Sequence, residues 1–266
     1  MSDLLWPIAL GGLGAILGSF LATVAIRWPA GRSAMVGRST CDHCGRQVAA
    51  RDLIPIASAL LLRGKARCCD ATIDPLHGWV EAGCAMVGLL AGVVLPGPIG
   101  LVIAAFGWLL VLVVALDATE LWIPDPLVAT LAVAGLLSAL VLPPLLSERL
   151  IGGAIGFGVL WLIGFSYHRL RGQEGLGGAD PKLFGAIGLW LGWRMLPPVL
   201  LIAAMVGLGI VMWRMATGRA VARDDAVPFG AYLAIAAYPA VLLMVEFGLL
   251  SRCCSPLPPI LRPHRR

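Results

Sequence analysis

The stretch PIGLVIAAFGWLLVLVVALD, residues 98–117, decides the fold: it is apolar for nineteen residues and then ends on a single carboxylate, Asp117. About 20 mostly apolar residues are what an α-helix needs to cross the hydrocarbon core of a bilayer. Working outward, similar runs occupy Leu4–Ile26, Trp79–Leu95, Pro126–Leu146, Ile151–Tyr167, Leu183–Leu196, Pro198–Met215 and Phe229–Leu250, eight in all. The chain of 266 residues is 59% hydrophobic and 13% charged, about half the charged share of a typical soluble domain. It has too little polar side chain to cover a soluble core. Alternating strands are absent, so a lipid-facing β-barrel is not expected. The fold class is therefore all-α: a polytopic membrane helix bundle of about eight transmembrane helices, with a Cys-containing loop after the first.

Charge orients the spans. No Lys or Arg precedes Arg27, whereas a cleavable signal peptide carries its positive charge in front. Loop 27–78 holds eight of the twenty basic residues, which places it in the cytoplasm and the N-terminus outside. The expected organisation is a first transmembrane helix over 1–26, a cytoplasmic Cys-rich loop over 27–78, a membrane core over 79–250 and an Arg-rich tail over 251–266. Counted this way, Arg149 and Arg194 lie on the outer side. The net charge of +5 reads as orientation signal and as attraction to anionic membrane lipid; no nucleic acid partner is expected.

Two groups of residues carry chemistry. Cys41-x-x-Cys44 and the adjacent pair Cys68-Cys69 fall in the one sizeable polar segment. Two thiol pairs at this spacing suit a tetrahedral zinc ion, and a reducing compartment favours metal over disulfide; the alternative is two unrelated thiol pairs. The second group is acidic. Asp117 closes one span, and Asp180 lies just before another in Gly175-Leu176-Gly177-Gly178-Ala179-Asp180-Pro181-Lys182. Carboxylates beside spans are functional candidates by default, Glu81 and Asp125 among them. Two spans separate Asp117 from Asp180, which returns the chain to the same face. Paired aspartates divide acid and base roles because mutual repulsion splits their proton affinities. Gly175, Gly177 and Gly178 allow close approach of backbone, substrate and Asp180, and Lys182 is placed to bias Asp180 toward its charged form. The alternative is that each Asp caps a helix or sits solvated at the interface, the reading preferred for Asp125.

Several segments in order resemble the type IV prepilin leader peptidases: Gly18-Ser19-Phe20-Leu21 leading to Arg27-Trp28-Pro29, Cys41-x-x-Cys44, Ile54-Pro55, Leu62-Arg63-Gly64-Lys65, Glu81, Asp117 with Pro124-Asp125, Glu174 to Leu183, and Pro228-Phe229-Gly230-Ala231-Tyr232-Leu233. The resemblance implies a membrane aspartic peptidase of the bacterial inner membrane with its active site toward the cytoplasm. It implies Asp117 and Asp180 as the catalytic pair and prepilins or type II secretion pseudopilins as substrates. In bifunctional members the new N-terminus is then methylated with S-adenosylmethionine, and the Cys-rich loop is associated with zinc and with that bifunctional, methyltransferase-bearing form. The family's second Cys-x-x-Cys would fall on positions 66 and 69; Ala66 stands here, and Cys68 is the nearby substitute. Ala22, Gly78 and Ala179 are further departures, at positions where members usually carry Asn, Pro and Gly. Glu120 and Glu174 are candidates for attracting a basic leader. A different class of reading, a proton-coupled transporter using the same carboxylates, is disfavoured because the acids lie at one face rather than near the midplane. A third reading is a membrane-anchored zinc module that only binds partners.

Overall fold

The structure is a computed structural model that describes residues 2–34, 39–56, 58, 61–173, 175–218 and 227–253. The Arg-rich tail from 254 onward, Glu174 and parts of loop 27–78 lie outside the described residues. Within them the chain is all-helical, as expected: α1 (Ser2–Arg27), α2 (Pro75–Val94), α3 (Pro98–Glu120), α4 (Asp125–Ser138), α5 (Leu146–Arg171), α6 (Asp180–Leu191), α7 (Leu196–Ala216) and α8 (Phe229–Cys253). Starts follow local chemistry. Asp74 accepts a hydrogen bond from Leu76 N at 2.9 Å and Pro75 opens α2, a side-chain cap with proline where no amide partner is needed.

Every expected span has a helix, but among the described residues six are long and apolar enough to cross a membrane. The fourth and sixth are cut short: α4 has 14 residues and α6 has 12, about 21 and 18 Å at 1.5 Å per residue against a hydrocarbon core of about 30 Å. The apolar sequence runs on past both ends, so hydropathy alone does not reveal the break. Arg149 explains it. This α5 side chain is fully buried and donates hydrogen bonds to the carbonyls of Gly135, Leu142, Pro143, Pro144 and Leu189 and to Ser138 Oγ, at 2.8–3.1 Å. Carbonyls left free at a helix end inside a membrane protein are costly; one planar guanidinium answers those of both short helices. Arg149 is therefore an internal clasp and not an outward loop charge.

Glycines set how closely the helices approach. A Cβ on Gly14 would collide with the Cys84 carbonyl, and one on Gly88 with the Leu10 carbonyl, so α1 and α2 pack backbone to backbone, as small-residue faces do in membranes. Gly152 on α5 and Gly188 on α6 meet in the same way, each facing the other's carbonyl. Helices α3 and α8 are the most buried spans, whereas α5 and α7 leave most of their apolar side chains uncovered, as lipid-facing helices do. The polar atoms of buried aromatic rings are satisfied: Trp108 Nε1 donates to Cys84 O, Trp190 Nε1 to Leu131 O and Tyr238 Oη to Val87 O, at 2.7–2.9 Å.

Candidate active site and cysteine cluster

Asp117 lies near the C-terminal end of α3 and Asp180 is the first residue of α6. They are 5% and 6% exposed, and a third element joins them. A Cβ built on Gly230, at the start of α8, would lie 3.1 Å from Asp117 Oδ2 and 3.1 Å from Asp180 Oδ1. The two carboxylates thus face one small space, kept open because residue 230 has no side chain. Asp117 Oδ2 accepts a hydrogen bond from Ala231 N at 2.7 Å, so the amides at the positive end of α8 meet its charge. Asp180 is held by its own helix-start turn. Its Oδ2 accepts from Gly177 N at 3.2 Å while its own N–H donates to Gly177 O at 3.1 Å. Burial, and then the neighbouring Asp117 charge, push the Asp180 carboxyl up to about 7. The arrangement sets one carboxyl suited to hold a proton beside a second that accepts a backbone N–H.

The expected supporting residues separate. Gly177 is held against Asp180, since a Cβ there would sit 3.0 Å from Oδ2; Gly175 packs on the Tyr167 ring; Gly178 has open space around it. Lys182 does not serve Asp180: its Nζ pairs with Asp125 Oδ1 at 2.7 Å, because residues two apart on a helix point to different sides. Asp125 is therefore an exposed ion-pair partner at the start of α4, and Glu120 is exposed. Glu81 lies away from the aspartates. It is 7% exposed on α2, and its Oε2 accepts from Ile56 N at 2.7 Å. In the sequence Gly230 and Ala231 stand out only as members of the segment 228–233; among so many glycines, nothing local marks the one that faces both acids.

A cavity of about 540 Å³ reaches Ala179, next to Asp180 in the chain, and is walled also by Trp28, Trp122, Pro124 and the Asp125–Lys182 ion pair. The Trp28 and Trp122 rings meet edge to face at 6.2 Å. Ile123 lines this cavity, and its Cδ1 lies 2.5 Å from where a Gly230 Cβ would be, so this side chain stands between the cavity and the space the carboxylates face.

The cysteine loop forms two matching turns. Cys41 N donates to Arg46 O and Gly45 N to Cys41 O; Ala66 N donates to Ala71 O and Asp70 N to Ala66 O. Antiparallel bridges Thr40–Gln47 and Lys65–Thr72 close them, and Gly45 (φ 70°) and Asp70 (φ 54°) occupy equivalent left-handed positions. Ala66 thus stands where the first turn has Cys41, and Cys68 reaches in from within the turn. The four sulfurs lie within 4.8 Å of one another, with Cys41–Cys69 at 3.8 Å, Cys44–Cys68 at 3.3 Å and Cys68–Cys69 at 3.9 Å. Zinc–sulfur bonds of about 2.3 Å in a tetrahedron require sulfurs about 3.8 Å apart, so the cluster fits the ion despite Ala66. The backbone amides of Cys44 and then His43 pull the Cys41 thiol down to about 6, toward the thiolate a metal needs.

Comparison with known proteins covers both halves of the chain. Residues 13–95 match the bacterial peptidase A24 N-terminal domain, and residues 103–212 match the type IV leader peptidase family. Similar proteins include the prepilin leader peptidase/N-methyltransferases of Aeromonas hydrophila (36% identical, over 78% of this chain and 72% of that one) and of Dickeya chrysanthemi (32%, over 91% and 94%). That of Pectobacterium carotovorum subsp. carotovorum is 36% identical over 86% and 90%. No solved structure matches the chain.

Proposed function

Because the chain belongs to the type IV leader peptidase family, we propose that Asp117 and Asp180 are its catalytic pair. They cut the basic leader from prepilins or type II secretion pseudopilins at the cytoplasmic face of the bacterial inner membrane. The observation that carries this reading is the shared approach of both carboxylates to the position of a Gly230 Cβ. Asp180, with its proton affinity raised, donates to the scissile carbonyl oxygen. Asp117, held by Ala231 N–H, takes a proton from the attacking water. The tetrahedral intermediate then collapses as a proton passes to the departing amine, and the pair is restored for the next turnover. The cavity walled by Trp28 and Trp122 seats the peptide beside the acids. The orientation is supported by the basic residues of loop 27–78.

Cys41, Cys44, Cys68 and Cys69 hold zinc, whose contribution is to cross-link a loop that has little core of its own. Methylation of the new N-terminus with S-adenosylmethionine completes the proposed activity, following the names of the relatives. The test is cleavage of a prepilin by the purified protein in lipid, read by mass spectrometry that reports cut site and N-methylation together. Asp117→Asn and Asp180→Asn are each expected to abolish cleavage; activity surviving either change refutes the pair.

A further inference from the structure

The cavity of about 540 Å³ carries an ion pair that the proposed cleavage does not use: Lys182 Nζ lies 2.7 Å from Asp125 Oδ1. Ile123 divides this cavity from the space that Asp117 and Asp180 face, so the cavity suits a side chain of the peptide rather than the scissile bond. Lys182 follows Asp180 by two residues on α6, about 3 Å along the axis. A peptide held at the aspartates therefore brings a residue close to its cut within reach of the cavity.

The walls are those of a cation site. Trp28 and Trp122 meet edge to face at 6.2 Å, and indole is the aromatic ring that attracts cations best. Among the described residues the cation over a ring is Arg194 on Trp193, so neither cavity tryptophan is taken by a cation of this chain. Trp28 is fixed in place: its N–H donates to Val24 O, Gly31 N donates to its carbonyl, and Arg27 beside it is anchored on Thr40 O. Asp125 supplies the negative charge. Its side chain is 70% exposed and that of Lys182 49%, and an ion pair so open to water holds weakly enough to be exchanged. Glu120 is also exposed but does not line the cavity.

We infer that Asp125, Trp28 and Trp122 bind the basic side chain of the leader nearest the cut, and that Lys182 occupies the same place until the leader displaces it. The inference rests on the peptidase reading and names the residues that select its substrate. Lys182 is an internal stand-in, since its ammonium already sits where that of a leader lysine would. The two partners of one ion pair therefore act in opposite directions: Asp125 draws the leader in, and Lys182 competes with it.

The experiment is steady-state cleavage of a prepilin by the full chain in proteoliposomes, with thermal unfolding of each variant measured alongside. Asp125→Asn is expected to raise KM about fivefold, the scale of one partly exposed charge pair with its ring contact, and to leave kcat within about twofold. Lys182→Met removes the competitor and is expected to lower KM about two- to threefold. A pair that only joined α4 to α6 would give both variants the same sign, so a KM raised by both overturns the inference. Trp122→Leu should raise KM as Asp125→Asn does; an unchanged KM there overturns the part given to the rings. Replacing the basic leader residue nearest the cut by Gln should raise KM about fivefold in the parent and less than about twofold in Asp125→Asn. Equal effects in the two enzymes overturn the contact. If the parent cuts prepilin and KM ignores every one of these changes, the inference falls and the peptidase stands. If the parent cuts no prepilin but binds a labelled basic leader peptide with the same dependence on Asp125 and Lys182, the cation site stands and the peptidase reading falls.

Discussion

Gly230→Ala is the sharpest probe of the aspartate pair. The added methyl would stand 3.1 Å from an oxygen of each carboxylate and 2.5 Å from Ile123 Cδ1. That is the space a water and a scissile carbonyl must share. Overfilling a packed site costs about 1–3 kcal/mol; expressed in the transition state at 1.36 kcal/mol per decade, this is a loss of about five- to 150-fold in kcat/KM. The assay is cleavage of a prepilin in proteoliposomes, with thermal unfolding of each variant measured alongside. Gly178→Ala, whose methyl would meet nothing within 4 Å, is expected to lose less than about threefold on the same scale. Adding Ile123→Ala relieves the contact with Ile123 Cδ1 and should restore only part of the activity, since the carboxylates still meet the methyl. A Gly230→Ala enzyme within twofold of the parent, or a Gly178→Ala enzyme as impaired as Gly230→Ala, refutes the geometry.

Further outcomes follow from the same structure. Burial and the Asp117 charge raise the Asp180 carboxyl to about 7, so the acid loses its proton as pH rises through that value and cleavage should fall on an alkaline limb near 7. For stability the sign is the same: the protonated form is favoured by folding, so the contribution of Asp180 is lost as pH rises from about 4 to about 7; a profile flat to pH 9 contradicts both. Arg149→Ala takes the guanidinium from five carbonyls, of which Gly135 O keeps Ser138 Oγ as donor, at about 1–3 kcal/mol for each left without a partner, and should lower thermal stability steeply in detergent. Arg149→Lys should rescue it poorly, because an ammonium has three donors and no planar fork. Metal analysis should find about one zinc per chain, reduced by Cys68→Ser and restored when Ala66→Cys is added, since Ala66 occupies the place matching Cys41. Chelation should leave prepilin cleavage largely intact while loosening the loop, measured by proteolysis.

Hydropathy made the helices legible because each apolar run must be buried in protein or lipid whatever its neighbours do. It could not show that α4 stops at Ser138 or α6 at Leu191, since Arg149, which satisfies the exposed carbonyls, sits elsewhere in the chain and resembles a loop charge. Asp117 and Asp180 stood out because a carboxylate beside an apolar run is expensive. Gly230 did not, because its importance lies in what is missing beside two distant oxygens. Proximity in sequence points Lys182 at Asp180, whereas helix geometry turns it to Asp125. The fourth sulfur was legible as a candidate, but the equivalence of Ala66 with Cys41 appears only when the two turns are compared in three dimensions.

The short helix α6 is fixed at both ends, by Arg149 on Leu189 O and by the Gly177–Asp180 turn, and it is pressed along its side through Gly188 on Gly152. It therefore acts as a spacer whose length is part of the chemistry. With twelve residues, adding or removing one would turn Asp180 about 100° around the axis and shift it about 1.5 Å along it. Its apolar face could remain greasy and its clasp intact while the acid no longer met its partner. Substitutions along α6 should thus be tolerated far more readily than a single insertion or deletion.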